Sequence, residues 1–231
     1  MVAATRLDES PWAEARWMVI VPHPDDETLG AGALIATTAA QGRLACVAYL
    51  TDGGGSHSHE DDASRARLVA VRRREAEEAL KILCAGQTPP TLFLDWPDAH
   101  PHEPDSEAAM SAASVLSGLV REHSVTAIAV TAHHEPHCDH AAAARLARAV
   151  SQLEGPPFPV FEYLVWADGP PPGSTRSIVT GPVPQSVRQE ALDAHVSQLT
   201  DAMGPGFRLD PSCRQMPETD LLFLTAASDA T

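Results

Sequence analysis

Five consecutive residues, His23-Pro24-Asp25-Asp26-Glu27, place one imidazole and three carboxylates side by side. A second stretch, residues 133–140, holds four imidazoles, those of His133, His134, His137 and His140, with Asp139 among them. An imidazole and a carboxylate from the first stretch, joined by an imidazole from the second, form a common catalytic zinc arrangement with water in an open position. Adjacent carboxylates allow a division of labour: one binds the metal while its neighbour works on the bound water. Taken alone, Asp-Asp-Glu is no more than an acidic helix start favoured by the helix dipole. Four imidazoles in a second loop are what point to a metal, because a solvated loop has little use for them.

The elements that must bring these stretches together can be read from the pattern. Apolar runs predict strands over 17–21, 44–50, 91–94, 125–131 and 159–166, with a further strand beginning at Val179. Helices are predicted over 28–40, 63–84, 106–122, 141–150 and 186–203. This alternation implies βαβ units: an α/β, Rossmann-like, mainly parallel sheet with helices on both faces, a three-layer sandwich. In such folds function sits beyond the carboxyl ends of the strands. The polar clusters fall there: residues 23–27 after the first strand, Asp52 after the second, 96–98 after the third and 133–140 after the fourth.

The 231 residues suit one domain, with a core over about 17–200 and an extension over 204–231 that either closes on the cleft or packs elsewhere. A formal charge of −15 opposes nucleic-acid binding, which needs a basic footprint, and fits badly on an anionic membrane. Cys46, Cys84, Cys138 and Cys213 form no CxxC pair, the first sixteen residues lack a secretory pattern, and no apolar run is of membrane-spanning length. A cytoplasmic protein is expected. Homo-oligomers are compatible with the sequence, which specifies no state.

The chain resembles the PIG-L/LmbE-like deacetylases. His23-Pro24-Asp25-Asp26-Glu27 is similar to their HPDDE signature and His137-Cys138-Asp139-His140 to their HxDH element. Thr51-Asp52-Gly53, Arg72-x-x-Glu75, Pro97-Asp98 and His195-x-Ser197-Gln198 also look like family landmarks, so the likeness runs from about residue 18 to 198. The resemblance implies a Rossmann-like, metal-dependent amidohydrolase that removes the N-acetyl group of an amino sugar or its glycoside, a small-molecule substrate. It implies His23, Asp26 and His140 as ligands of zinc, iron(II) or another divalent ion, and Asp25 as general base toward metal-bound water. It implies His137, kept charged and aligned by Asp139, as the group that stabilises the oxyanion or protonates the amine. Arg72 and Asp98 become sugar contacts. Two departures stand out: Ala99 follows Pro97-Asp98 where the family often has glycine, and Arg72 is one of three consecutive arginines, a run that also suits a solvated helix face.

Other signals carry less. Gly30-x-Gly32 begins a GxGxxG pattern but lies inside a helix and lacks the third glycine. His57 and His59 are expected on a loop by the cleft, His133 and His134 as loop neighbours, and Cys138 pointing away. Trp96 and Trp166 suit core packing or an aromatic face for a sugar ring. Residues 135–140 are also similar to the HxHxDH element of metallo-β-lactamases, with Glu135 in place of its first histidine. An iron(II) oxygenase would space its first ligands as HxD. A non-catalytic metal or carbohydrate module would keep the ligands but have no use for Asp25.

Overall fold

In the computed structural model, which describes residues 4–155 and 157–225, side-chain alternation along the strands fixes the layering. Along β2 (Trp17–Val21), Trp17, Val19 and Val21 enter one apolar core while Met18 and Ile20 enter a second. β3 (Leu44–Thr51) divides likewise, Val47 and Tyr49 against Cys46, Ala48 and Leu50, and so does β5 (Ala127–Thr131), Ala127 and Ala129 against Ile128 and Val130. Strands buried on both faces read as continuous apolar runs. Each fully buried aliphatic side chain stabilises the fold by about 1.5–3 kcal/mol relative to exposure.

The first core is covered by α1 (Asp26–Ala40), α2 (Asp62–Leu83) and α5 (Gln185–Asp193). The second is covered by α3 (Glu107–His123) and α4 (Cys138–Leu153). Local chemistry starts these helices. Asp61 accepts from the Ser64 amide at 2.7 Å while the Ser64 hydroxyl accepts from the Asp61 amide at 3.2 Å, a capping box opening α2. Ser106 caps α3 through the Ala109 amide.

With β1 (Thr5–Arg6), β4 (Thr91–Trp96), β6 (Val160–Tyr163), β7 (Ser174–Val179) and β8 (Leu221–Thr225), the sheet runs β1-β7-β8-β6-β5-β2-β3-β4. β8 is antiparallel to both β6 and β7; the remaining described pairings are parallel. This is the mainly parallel, three-layer α/β arrangement expected. From β2 the chain moves outward through β3 to β4, then returns to place β5 on the other side of β2. The loops leaving β2 and β5 therefore diverge at the topological switch point, where open α/β sheets bind ligands.

Several elements depart from the sequence reading. Val179 ends a strand rather than beginning one. The helix expected over 186–203 breaks at His195, whose buried imidazole reaches Glu27, leaving α5 and the short α6 (Val196–Leu199). The strand expected over 159–166 stops at Tyr163, because the next backbone amides turn to the Glu135 carboxylate. The extension contributes β8 to the sheet; its residues 226–231 lie outside the described residues, as do residues 1–3 of the N-terminal stretch. No described helix is long and apolar enough to cross a membrane.

Candidate active site

The turn leaving β2 is tightly fixed. The Pro22 carbonyl accepts from both the Thr51 amide at 3.0 Å and the Thr51 hydroxyl at 2.9 Å, tying β3 to the turn. Asp25 follows at φ 135°, ψ −30°, a conformation that L-residues rarely adopt. Its amide donates to Glu27 Oε2 at 2.8 Å, and Glu27 Oε1 lies 2.7 Å from His195 Nε2, with both Glu27 and His195 fully buried. α1 then begins at Asp26, whose Oδ2 also accepts from the His23 amide at 3.1 Å.

The loop leaving β5 supplies the other half. His137 caps α4, its Nδ1 accepting from the Asp139 amide at 3.3 Å, and His140 stands one turn further along. Asp26 Oδ2 lies 3.2 Å from His23 Nδ1 and 3.2 Å from His140 Nε2, so the three ligands expected from the sequence meet at one carboxylate oxygen. His140 is fully buried, yet neither of its ring nitrogens makes a hydrogen bond. A buried imidazole that faces carboxylates on both nitrogens yet makes no well-formed hydrogen bond is costly. Beside two further donors in a two-histidine, one-carboxylate set, it fits a divalent metal. A second reading of the donors is also on hand. His23, His137 and His140 offer ligand atoms within 4.8 Å of one another, and so do His23, Asp98, His137 and Asp139.

Asp139 is placed differently from expectation. Its carboxylate lies 3.0 Å from His23 Nε2 and accepts from the Ala99 amide at 2.8 Å, but stands 3.7 Å from His137 Nδ1, beyond hydrogen-bond range. The Asp139 amide occupies that nitrogen instead. Burial, then the neighbouring His23, push the His137 pKa down, which works against the cationic form expected.

Arg72 resolves the triple-arginine run. It is buried on α2, donating to the carbonyls of Gly53 at 2.8 Å and Pro24 at 2.6 Å, and lies 3.4 Å from Asp25 Oδ2. Arg73 pairs with Asp95 and covers the Phe93 ring, and Arg74 is directed back to Ala70. Gly53, at φ +66°, explains the Thr51-Asp52-Gly53 landmark: an added Cβ would stand 2.8 Å from Arg72 Nη1. Asp98 accepts from the Gly55 amide at 2.9 Å and lies 3.4 Å from His23 Nε2. Ala99, at φ 61°, adopts the left-handed conformation that glycine takes freely, so alanine carries strain here that glycine would not.

Electrostatics separates the two adjacent aspartates. Burial raises Asp25 to about 7 against the opposing pull of Arg72. For Asp26 burial also acts upward, but His140 and His23 outweigh it and hold the carboxyl well below the usual range. Asp98 is held at about 2, the penalty of burial being overcome by its contact with His23. Two neighbouring carboxylates pushed apart in this way suit a base and a ligand.

These groups line a cavity of about 230 Å³ with Ser56, Trp166, Gln198 and Phe207 on its walls. Sequence reasoning missed Glu135. Fully enclosed behind His140, with Oε2 at 3.7 Å from Nδ1, it accepts from the amides of Val165, Trp166 and Ala167 and so carries the cavity wall. Its one signal was the misfit to the metallo-β-lactamase pattern. Trp96 packs in the core; His133 pairs with buried Glu162; His57 and His59 are tied into the loop over 53–59. Cys138 is exposed and lies in neither donor group, as expected. Gly30 lies within α1, against Tyr163.

The PIG-L family profile, described as GlcNAc-PI de-N-acetylase, matches residues 18–151. A search of curated proteins gave no match. Among solved structures, the zinc-inhibited form of teicoplanin deacetylase Orf2 is similar at 20% identity and a TM-score of 0.67, over 94% of this chain and all (100%) of that one. N,N'-diacetylchitobiose deacetylase from Pyrococcus horikoshii is similar at 22% identity and a TM-score of 0.63, over 84% and 74% of the two chains. The 4-carboxy-2-hydroxymuconate hydratase GalB of Pseudomonas putida is similar at 17% identity and a TM-score of 0.60, over 93% and 96%. At these identities the likeness is one of fold, and that fold hosts more than one chemistry.

Proposed function

The chain belongs to the PIG-L (GlcNAc-PI de-N-acetylase) family, and from that premise we propose that it hydrolyses the N-acetyl group of a small amino sugar or its glycoside with the help of a divalent metal. One observation carries the reading. His140 is buried without hydrogen-bond partners beside Asp26 and His23, and Asp25, a carboxylate of raised pKa, adjoins them. The similar deacetylase structures support the reaction class, and the zinc-inhibited form of one of them supports a site that takes a divalent ion.

In this proposal His23, Asp26 and His140 hold zinc, and the same donors would also accept iron(II). When bound, the ion would polarise the amide carbonyl and lower the pKa of a coordinated water. The remaining work falls to the chain. Asp25, poised near neutrality, takes the proton of the attacking water and returns it to the departing nitrogen, so the amine leaves neutral. His137, neutral and with Nδ1 engaged by the Asp139 amide, keeps Nε2–H to donate toward the developing oxyanion. Asp139 orients His23 rather than His137. Arg72 and Asp98, both on the cavity wall, hold the sugar hydroxyls.

Acetate release from N-acetylglucosamine and its glycosides tests the reading. Release that stops on chelation and returns with zinc is the expected result. A metal-loaded protein silent across a broad N-acetyl sugar panel would overturn it.

A further inference from the structure

A second cavity, of about 600 Å³, lies between α3 and α4, outside the candidate active site. Its volume falls within the roughly 300–1,000 Å³ of pockets that hold small molecules. Composition opens it. Ala109 and Ala113 on α3 face Ala142 and Ala149 on α4, and side chains this short leave a slot between the helices. The loop leading into α3 adds Trp96 and His102, which meet edge to face with ring centroids 4.8 Å apart. Along α3 the lining runs from Ala109 to Arg121, about 18 Å at about 1.5 Å per residue. Spread over that length, the volume leaves a cross-section of about 33 Å², room for one aliphatic chain but not for a helix about 10 Å across.

The rim carries apolar surface that folding leaves in water. Met110 at 59% exposure and Leu153 at 60% are the two most exposed large apolar side chains among the described residues, and both line the groove. Covering them gains free energy in proportion to the area removed from water, and methionine adapts its shape to what it covers. Charge selects the head group. The chain holds 31 Asp and Glu against 16 Lys and Arg, yet no carboxylate lines the groove, while Arg121 and Arg145 do. Arg121 is engaged: it donates to Glu154 Oε1 at 2.7 Å and to Ser117 Oγ at 3.2 Å. Arg145 is exposed and, among the described residues, has no carboxylate within ion-pair distance. A guanidinium beside an apolar wall matches a carboxylate, which it can grip through two N–H groups at once.

We propose that the groove between α3 and α4 binds a medium-chain aliphatic carboxylate, with the chain along the alanine walls and the head group on Arg145. The site depends neither on the metal nor on the deacetylase reading.

Calorimetric titration of the whole chain with octanoate, decanoate, dodecanoate and uncharged decanol tests the site. Saturable one-to-one binding of dodecanoate is expected, weakening about fourfold for each methylene removed. Decanoate should bind about tenfold more tightly than decanol, and Arg145→Gln should erase that difference while leaving decanol unchanged. Retained decanol binding also shows that this variant is folded. Ala149→Leu, which puts a larger side chain into the groove, should weaken both ligands several-fold. Absence of saturable binding, affinity indifferent to chain length, or an Arg145→Gln variant that still prefers the carboxylate overturns the proposal. A wild-type chain that sediments as a dimer, together with a Leu153→Glu variant that sediments as a monomer, overturns it too, since a second copy would then cover the face.

Discussion

At the scale of single residues, most of the proposed chemistry rests on Asp25. Its backbone at φ 135°, ψ −30° costs of order 1–3 kcal/mol, and such strain tends to persist where a side chain must be aimed. As the proposed base, Asp25 should be indispensable to turnover but not to metal retention. Asp25→Asn is expected to lower kcat by about 10²–10⁴ with metal content unchanged by elemental analysis; loss of both together would place Asp25 among the ligands. Its protonation should also shape the pH profile. The base must be ionised, so kcat/KM should rise through about pH 7. Arg72 lowers the Asp25 pKa, so Arg72→Gln should move that acidic limb to higher pH and cost more activity at pH 7 than at pH 9. A KM penalty equal at every pH would instead make Arg72 a substrate contact only. The clusters at 23–27 and 133–140 were legible in the sequence because their meaning is local: residue types crowded at strand ends. The choice among Arg72, Arg73 and Arg74 was not, because it depends on which face of α2 meets the Gly53 carbonyl and Asp25.

At the scale of elements, the turn over residues 22–27 is braced from a distant part of the chain. The Glu27–His195 pair joins the start of α1 to the segment between α5 and α6, and Glu75 accepts from the Ser197 amide at 2.8 Å and its hydroxyl at 2.5 Å, tying α2 to the same place. The His195 pKa is raised: burial acts against the charge, but the adjacent Glu27 outweighs it. The folded imidazole thus holds its proton to higher pH than the unfolded chain, where it leaves near 6.5. Stabilisation from this linkage is complete below about pH 6.5 and is lost as pH rises through the folded value. Removing one partner of a buried pair costs about 3–5 kcal/mol. His195→Ala should therefore destabilise by roughly that amount at pH 6 and by less at pH 9, as read by urea unfolding; a difference constant with pH would show that the imidazole is neutral in the fold. Nothing local in the sequence discloses this brace. Glu27 reads as one more acidic cap residue, and its partner stands 168 positions away. Glu135 is hidden in the same way, since two of its three backbone partners, Val165 and Trp166, belong to a turn that the apolar pattern extends as strand.

At the scale of the molecule, the site is a consequence of strand order. Periodicity predicted a parallel sheet with helices on both faces, because strands buried on two sides must be apolar throughout. It did not predict that β8, from the far end of the described chain, inserts antiparallel between β6 and β7, since pairing partners leave no local trace. What the order achieves is to set the β2 and β5 ends side by side, so that α1 and α4 start at the same point with Asp26 on one and His140 on the other. A metal held by both would cross-link the two layers and stabilise the whole fold. At free zinc 100-fold above the dissociation constant the gain is about 2.7 kcal/mol. For a chain of this size that raises Tm by roughly 5–10 °C. Thermal unfolding with zinc and with chelator should show this rise, and His140→Ala or Asp26→Asn should abolish it, each variant being compared with itself plus and minus metal. The control lies in the neighbouring donors. If both variants keep the rise while Asp98→Asn loses it, the ion belongs to the group of His23, Asp98, His137 and Asp139, and Asp26 is then free to share the base's work with Asp25.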